Sequence, residues 1–536
     1  MADAATPKSA PVINVARAGG IMMASLFLSR VLGIVREMII NWKFGQSAMT
    51  DAYRTAFQVP DFLFYLLSAG ALSQAFIPVF SEYFHTDRPR DAWAVFSSVA
   101  TICGTFILGF IVVCWVAAVP VAHYLAPNAS PDQVQLIARM SRILVPTQFA
   151  FIVGGLLMGT LYARQVFSIP GLGPNIYNLG IIFGATLLSQ LLVIPVAGMT
   201  WGALVGAYLG SLIIPLIVIR RMGMEFRPNF SLQHPGVRKV FRLMAPIIFG
   251  LSLPSVFPVI TRYFGNYYAT GTISALENMN QLMQAPLGIF GQSLAIAVLP
   301  ALSQFFAEGN MDKYRDQLVS TVRTCIFLAA PFVAMFLVFS EPIVRMLFEH
   351  GRFTAADTAR TAPAVAMAGI GIIGWCLQPV MMRGFFAVQR TLPPVLLGST
   401  CTILYATTCY CAVRYQWPPL ALPLAGSICA ILMSLAMIIL IQKYVGALKL
   451  RPVAITLGKS LIASAIGGAF LFAVKSVMPA ASSSGGRIGN ALLTLFILIC
   501  FGWVYYFAAK FLAMPETDYL SRALNRRNKA ATPPAE

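Results

Sequence analysis

Apolar residues come in long blocks along this chain, separated by short breaks that are polar or rich in Pro and Gly. The blocks lie near 15–40, 54–80, 93–122, 134–162, 171–193, 198–220, 238–262, 271–300, 318–340, 358–387, 392–413, 418–442, 452–477 and 488–512. Each is long enough for a helix to cross a hydrocarbon core of roughly 30 Å, which takes about 20 residues. Helices satisfy their own backbone hydrogen bonds in lipid, so they are the expected spanning element. The pattern predicts an all-α membrane protein of about fourteen transmembrane helices. Composition agrees: 58% of the residues are hydrophobic and 11% charged, with a mean hydropathy of +0.75. A water-soluble fold, in which roughly a quarter of residues are charged, could not cover its surface with so few.

An even number of spans puts both termini on one side, and Lys/Arg bias chooses the side. Alternate loops carry Arg88 and Arg90; Arg164; Arg220, Arg221, Arg227, Arg238 and Lys239; Lys313 and Arg315; Arg390; and Lys443, Lys449 and Arg451. The opposite loops 123–133 and 191–200 contain no Lys or Arg. Both termini, the tails 1–14 and 513–536 and the linker 221–237 are therefore expected in the cytoplasm. One loop dissents. Arg345, Arg352 and Arg360 fall in 341–360 on the other side, where an amphipathic segment on the membrane surface is expected. The first apolar block carries Arg30 and Arg36, which argues against a cleavable signal peptide.

The chain resembles itself. Ile77-Pro78-Val-Phe-Ser81-Glu-Tyr-Phe84 matches Leu299-Pro300-Ala-Leu-Ser303-Gln-Phe-Phe306 at an offset of 222 residues, and Tyr162-Ala163-x-Gln165 matches Phe386-Ala387-x-Gln389 at 224. A repeat of six helices, an even number, gives two lobes of parallel topology, 15–220 and 238–442, related by a pseudo-twofold axis along the membrane normal. Spans 13 and 14, 452–512, fall outside the repeat. Chance recurrence of Pro/Ser/aromatic patterns is the alternative.

The first span holds the most informative polar residues: Ser25-Leu-Phe-Leu-Ser29-Arg30-Val-Leu-Gly33-Ile-Val-Arg36-Glu37. A cation inside a membrane is costly and is rarely left facing lipid. Ser25, Ser29 and Gly33 form a stripe of small residues that permits close helix approach, and Arg36 continues it. Arg30 lies about 120° from Arg36 around a regular helix, so one cavity holds both only if it is wide or the helix bends at Gly33. A structural reading has Arg36 snorkelling to the interface and Arg30 pairing with another helix. A functional reading has both binding an anionic group whose oxygens suit the guanidinium fork.

Asp51, in Thr50-Asp51-Ala-Tyr53, either caps its own helix or pairs with an arginine of the first span and releases it during transport. The run Glu277-Asn278-Met-Asn280-Gln281-Leu-Met-Gln284 is rich in amides for a membrane span. Interhelical hydrogen bonding and a polar cavity wall are its two readings. Gly202, Gly206 and Gly210 read as a packing motif.

The excess of 38 Lys+Arg over 19 Asp+Glu is dispersed in loops, which points to anionic lipid headgroups and not to nucleic acid. Nine cysteines lie mostly in apolar stretches and behave as small hydrophobes, and the four histidines have no metal partner in sequence. No nucleophile–base spacing or phosphate loop is present. The expectation is a transporter without catalytic chemistry and without a cofactor, driven by membrane potential or a coupling ion.

Ser29-Arg30-Val-Leu-Gly33 with Arg36, Phe44-Gly45, Thr50-Asp51-Ala-Tyr53 and Gly70-Ala-Leu-Ser73-Gln74-Ala-Phe76-Ile-Pro78 resemble the MurJ/MviN family of lipid II flippases. So do Phe167-Ser168-Ile169-Pro170, Pro286-Leu-Gly288 and Leu347-Phe348-x-x-Gly351-x-Phe353-Thr354-x-x-Asp357. The resemblance implies a monomeric protein of the bacterial inner membrane that exports a peptidoglycan precursor linked to undecaprenyl pyrophosphate. It also implies a cationic cavity and two extra helices that form a groove for the polyprenyl tail. Another lipid-linked glycan, or a MATE-like cation-coupled exporter, is the alternative. On this resemblance Arg30 and Arg36 bind the pyrophosphate and Asp51 gates, with Asp61, Arg262, Asn280, Gln281 and Gln284 in the cavity wall. The chain departs from the family pattern at Asp61, Phe64-Tyr65 and Ser68-Ala69-Gly70, and at Asn280-Gln281 and Gln284. There the family's arginines and acids are missing in pairs, and Arg262 is a candidate to compensate.

Overall fold

The computed structural model describes residues 15–64, 71–86, 88–166, 168–244, 256–477 and 487–517. The two predicted tails up to 14 and beyond 517, and the departures at 65 and 68–70, lie outside these. Every regular element among the described residues is a helix. Among the described residues nine helices are long and apolar enough to cross a membrane, and a tenth span forms if the pair Ala355–Gly369 and Ile372–Ala387, bent by 48°, counts as one. Several expected spans are broken. The block expected at 54–80 becomes Ala48–Ala56, Gln58–Leu63 and Ala71–His85, and others are interrupted by π turns at Gly184–Leu188, Tyr208–Ile213 and Leu287–Gln292.

The elements needed below are α1 (Val15–Phe44), α2 (Ala48–Ala56), α3 (Gln58–Leu63), α4 (Ala71–His85), α5 (Ser168–Phe183), α6 (Ala197–Ala207), α7 (Phe257–Gly265), α8 (Thr272–Pro286), α9 (Ser293–Ala307), α10 (Met311–Phe348), α11 (Ala355–Gly369), α12 (Leu450–Val477) and α13 (Arg487–Phe511). The chain divides into two compact units. One comprises Met1–Arg36, Leu63–Ala118 and Arg139–Ile248; the other comprises Glu37–Phe62, Val119–Ala138 and Phe249–Glu536. Segments 37–62 and 119–138, which sequence places in the first repeat, thus pack within the second unit.

Inside each unit the repeat motifs adopt the same local structure. α4 and α9 are both 15 residues long, each with its proline, Pro78 or Pro300, at the eighth position. Gln165 and Gln389 both take a left-handed backbone, with φ of 59° and 57°. Each closes its helix with the same turn: Gln165 N donates to Tyr162 O and Gln389 N to Phe386 O, both at 3.0 Å. A non-glycine residue in this conformation is uncommon, so its recurrence at matching positions supports duplication over chance.

In the first unit α6 packs on α5 through glycine. A Cβ on Gly198 would stand 2.6 Å from Gly184 O, and one on Gly210 would stand 2.8 Å from Gly173 O. The Gly202/Gly206/Gly210 stripe is therefore a backbone contact, as the spacing suggested.

The dissenting segment 341–360 is structured: the helix of α10 breaks at Phe339 (φ −116°, ψ 15°), so residues 340–348 form a helical segment of their own, and α11 begins at Ala355 behind a Thr354/Asp357 capping box. Two of its three cations meet acids one turn away: Arg345 meets Glu341 at 2.9 Å and Glu349 at 3.3 Å, and Arg360 meets Asp357 at 3.2 Å.

Spans 13 and 14 are tied to α10. Arg323 of α10 pairs with the buried Glu516 at 2.7 Å and donates to Thr456 of α12 at 3.0 Å, while Tyr505 of α13 donates to Phe327 O at 2.7 Å.

Candidate functional site

In the first unit a ladder of polar contacts fixes α1 on α5. Ser25 Oγ donates to Gly171 O at 2.6 Å, and Asn175 Nδ2 donates to Ser25 Oγ at 2.8 Å. One turn further on, Asn178 Nδ2 donates to Ser29 O at 3.2 Å, and Arg36 Nη1 donates to Asn178 Oδ1 at 3.0 Å. A Cβ on Gly171 would approach Ser25 to 3.0 Å, so the small residues of the stripe are what bring the amides within reach. Arg36 is thus aimed by a neutral amide at the end of a close helix contact. Arg30 is on another side: the helix continues through Gly33 without interruption, and Arg30 is exposed beside Phe27, Leu28 and Val31. The structure does not use Gly33 to turn both guanidiniums onto one face.

The second unit holds a denser polar cluster. The end of α1, α2 and α3 face α7 and α8. Arg54 Nη2 donates to Glu37 Oε2 at 2.9 Å, with both side chains 4% exposed. Asn41 and Asn278, both fully buried, exchange amide hydrogen bonds of 2.8 and 3.1 Å, and Arg54 also reaches Asn278 Oδ1 at 3.4 Å. A buried ion pair costs desolvation and is retained only with good geometry and further hydrogen bonds; here Asn278 supplies one to Arg54 and is itself held by Asn41. Sequence reading gave Glu37 no role, and it missed Arg54 and Asn41. The available signal was a second pair of opposite charges inside adjoining helices.

Asp51 caps a helix, but not its own. Ser47 caps α2, accepting from Thr50 N at 3.4 Å. The Asp51 carboxylate instead takes the start of α8, accepting from Gly271 N, from Ser274 N at 3.0 Å and from Ser274 Oγ at 2.7 Å. Gly271 has φ +90°, and a Cβ there would strike Arg360. These three bonds engage both of its oxygens. Asp51 also borders a polar cavity of about 80 Å³ lined by Thr55, Asn128, Gln133, Asn266 and Thr270.

The candidate wall residues separate into two groups. Arg262 of α7 bonds Asp61 of α3, and it also meets Glu277 of α8 through Nε at 3.2 Å and Nη2 at 3.3 Å. Asn280, Gln281 and Gln284 stand half-buried along α8, continuing the line from Glu277 at helical spacing. Asn278, between them in sequence, points the other way into the buried cluster.

Comparison with known proteins places this arrangement. A family model described as "Lipid II flippase MurJ" matches residues 40–485. The chain belongs to the MurJ family. Among its relatives, the "Lipid II flippase MurJ" of Burkholderia cenocepacia is 29% identical over 377 residues, covering 69% of this chain and 73% of the relative. A solved structure titled "Lipid II flippase MurJ, inward closed conformation" has a TM-score of 0.76 at 22% identity, covering 91% of this chain and 98% of that one. An inward-facing multidrug MATE transporter of the MOP superfamily shares the fold with a TM-score of 0.65 at 14% identity, over 80% and 99%. The MurJ match bears out the family resemblance and favours it over the MATE-like alternative. Asp51, Asp61, Arg262, Asn280, Gln281 and Gln284 fall inside the matched range; Arg30 and Arg36 precede it.

Proposed function

We propose that this protein is a lipid II flippase, carrying the undecaprenyl-pyrophosphate-linked precursor from the cytoplasmic to the periplasmic leaflet of the bacterial inner membrane by alternating access. The observation that carries this reading is the MurJ match across residues 40–485 of a multi-pass, all-helical chain. The site geometry supports it. Arg36, aimed by Asn178, and Arg30, on the exposed side of the same helix, offer two guanidinium forks to pyrophosphate oxygens. Asp51 gates through the helix start it caps. The protein acts as a monomer, without catalysis or a bound cofactor, and membrane potential or a coupling ion supplies the drive. The deciding experiment is replacement: expression of this chain restores growth to a strain depleted of its native lipid II flippase. Lysis of that strain, despite normal amounts of the protein in the membrane, overturns the reading.

Both termini are cytoplasmic on this reading, because 123–133 and 191–200 lack Lys and Arg. Single cysteines at Asn128 and Arg227 in a Cys-free background report the orientation in intact cells. Asn128→Cys is labelled by an impermeant thiol reagent and Arg227→Cys is not. The reverse pattern inverts the topology.

A further inference from the structure

We propose that Arg262 is a third substrate-binding cation of this transporter, and that Asp61 is the partner it gives up when the substrate's pyrophosphate arrives. The inference rests on the flippase reading and adds to it a residue and an exchange.

The argument begins with exposure. Arg262 is 11% exposed, whereas the carboxylates on either side of it, Asp61 and Glu277, are 25% and 24% exposed. Ionised side chains at membrane depth face a protein interior or water, seldom lipid. Partly open carboxylates among apolar helices therefore mark a wetted surface. The half-buried Asn280, Gln281 and Gln284 extend that surface along α8, so Arg262 stands at the head of a polar strip.

The two carboxylates are not equivalent in the chain. Glu277 follows Arg262 by 15 residues, across one helical turn-back from α7 to α8. Asp61 comes from α3, 201 residues away, and depends on tertiary packing to stay in place. A movement of α3 away from α7 and α8 breaks the Asp61 bond and leaves the Glu277 bonds intact. Arg262 then carries one acid and has donors for a new acceptor. A pyrophosphate offers more oxygens than a carboxylate in the geometry a guanidinium fork matches, so it can replace Asp61 there. Glu277 keeps the cation from being left alone in a low-dielectric site during the exchange.

A purely structural triad would serve only to hold its three helices together, and a neutral, hydrogen-bonding version would replace it. That difference sets the test. The full chain in nanodiscs is titrated with undecaprenyl pyrophosphate, and binding is followed by native mass spectrometry. Arg262→Gln is expected to weaken binding about tenfold, as loss of a charge-assisted hydrogen bond implies. Arg262→Lys should lie between it and the parent. Because Arg262→Gln leaves two acids unpaired and risks misfolding, the neutral triple variant Arg262→Gln/Asp61→Asn/Glu277→Gln carries the test if it does. Weak binding by the triple variant supports the proposal. Binding equal to the parent, by Arg262→Gln or by the triple variant, overturns it and leaves the flippase reading standing. If the parent itself binds no undecaprenyl pyrophosphate, both fall.

Discussion

Arg36→Ala, and separately Arg30→Ala, are expected to abolish rescue of a flippase-depleted strain while leaving membrane levels of the protein near normal. The physical problem in export is the barrier to bringing a pyrophosphate out of water, since an isolated ion in a low-dielectric medium is strongly penalised. Fixed guanidiniums lower that barrier, each charge-assisted hydrogen bond contributing about 1.5–3 kcal/mol. Removing one therefore slows transport roughly ten- to hundredfold. The thermodynamic pull is separate. With the inside negative, a headgroup with two negative charges gains roughly 2.3 kcal/mol per charge per 100 mV on moving outward. Voltage can thus drive export, provided the barrier is crossed. Lysine keeps the charge and loses the fork, so Arg30→Lys and Arg36→Lys should each rescue in part. The structure adds a control at Arg36. Asn178→Ala keeps the cation and removes the amide that aims it at 3.0 Å, so it should fall between parent and Arg36→Ala. Full rescue by both alanine variants at normal membrane levels makes these arginines structural.

Much of this was legible in the chain because membrane helices announce themselves locally. Apart from 54–80 and 238–262, which include residues outside the described ones, the apolar blocks fell mainly on described helix, and the Ser25/Ser29 stripe correctly signalled a close helix contact. What one stretch of sequence cannot show is a partner more than two hundred residues away. Asn41 and Asn278 are 237 apart and Arg262 and Asp61 are 201 apart, so neither pairing leaves a trace in spacing. Arg262, a candidate to compensate for the missing arginines, lies between two acids, which its own stretch of sequence does not show. Segment 341–360 shows the converse: Arg345 and Arg360 meet acids three or four residues away, pairs that local spacing does reveal. The broken second block failed differently: hydropathy reports which residues avoid water, but it does not report where a backbone turns.

Asp51 is the residue whose role the fold changed most, and its removal should have the second large effect. Its carboxylate takes two backbone donors at the start of α8 and the Ser274 hydroxyl, all buried. A carboxylate there gains from the helix dipole as well as from the hydrogen bonds. Asp51→Ala leaves those donors unsatisfied, at about 1–3 kcal/mol for each buried one. The loss falls on the arrangement in which α2 meets α8, so any state in which they separate gains population by tenfold or more. Ala52, 3% exposed and bordering the same small cavity, reports it. In a Cys-free background, Ala52→Cys in purified protein should react slowly with a bulky maleimide. Adding Asp51→Ala should speed the reaction at least tenfold and abolish rescue in cells. Asp51→Asn retains one acceptor oxygen and loses the charge, which places it between the two in both measurements. If Asp51→Ala leaves the labelling rate unchanged but still abolishes rescue, Asp51 acts on the substrate directly and not through the start of α8. If it changes neither, it has no part in transport.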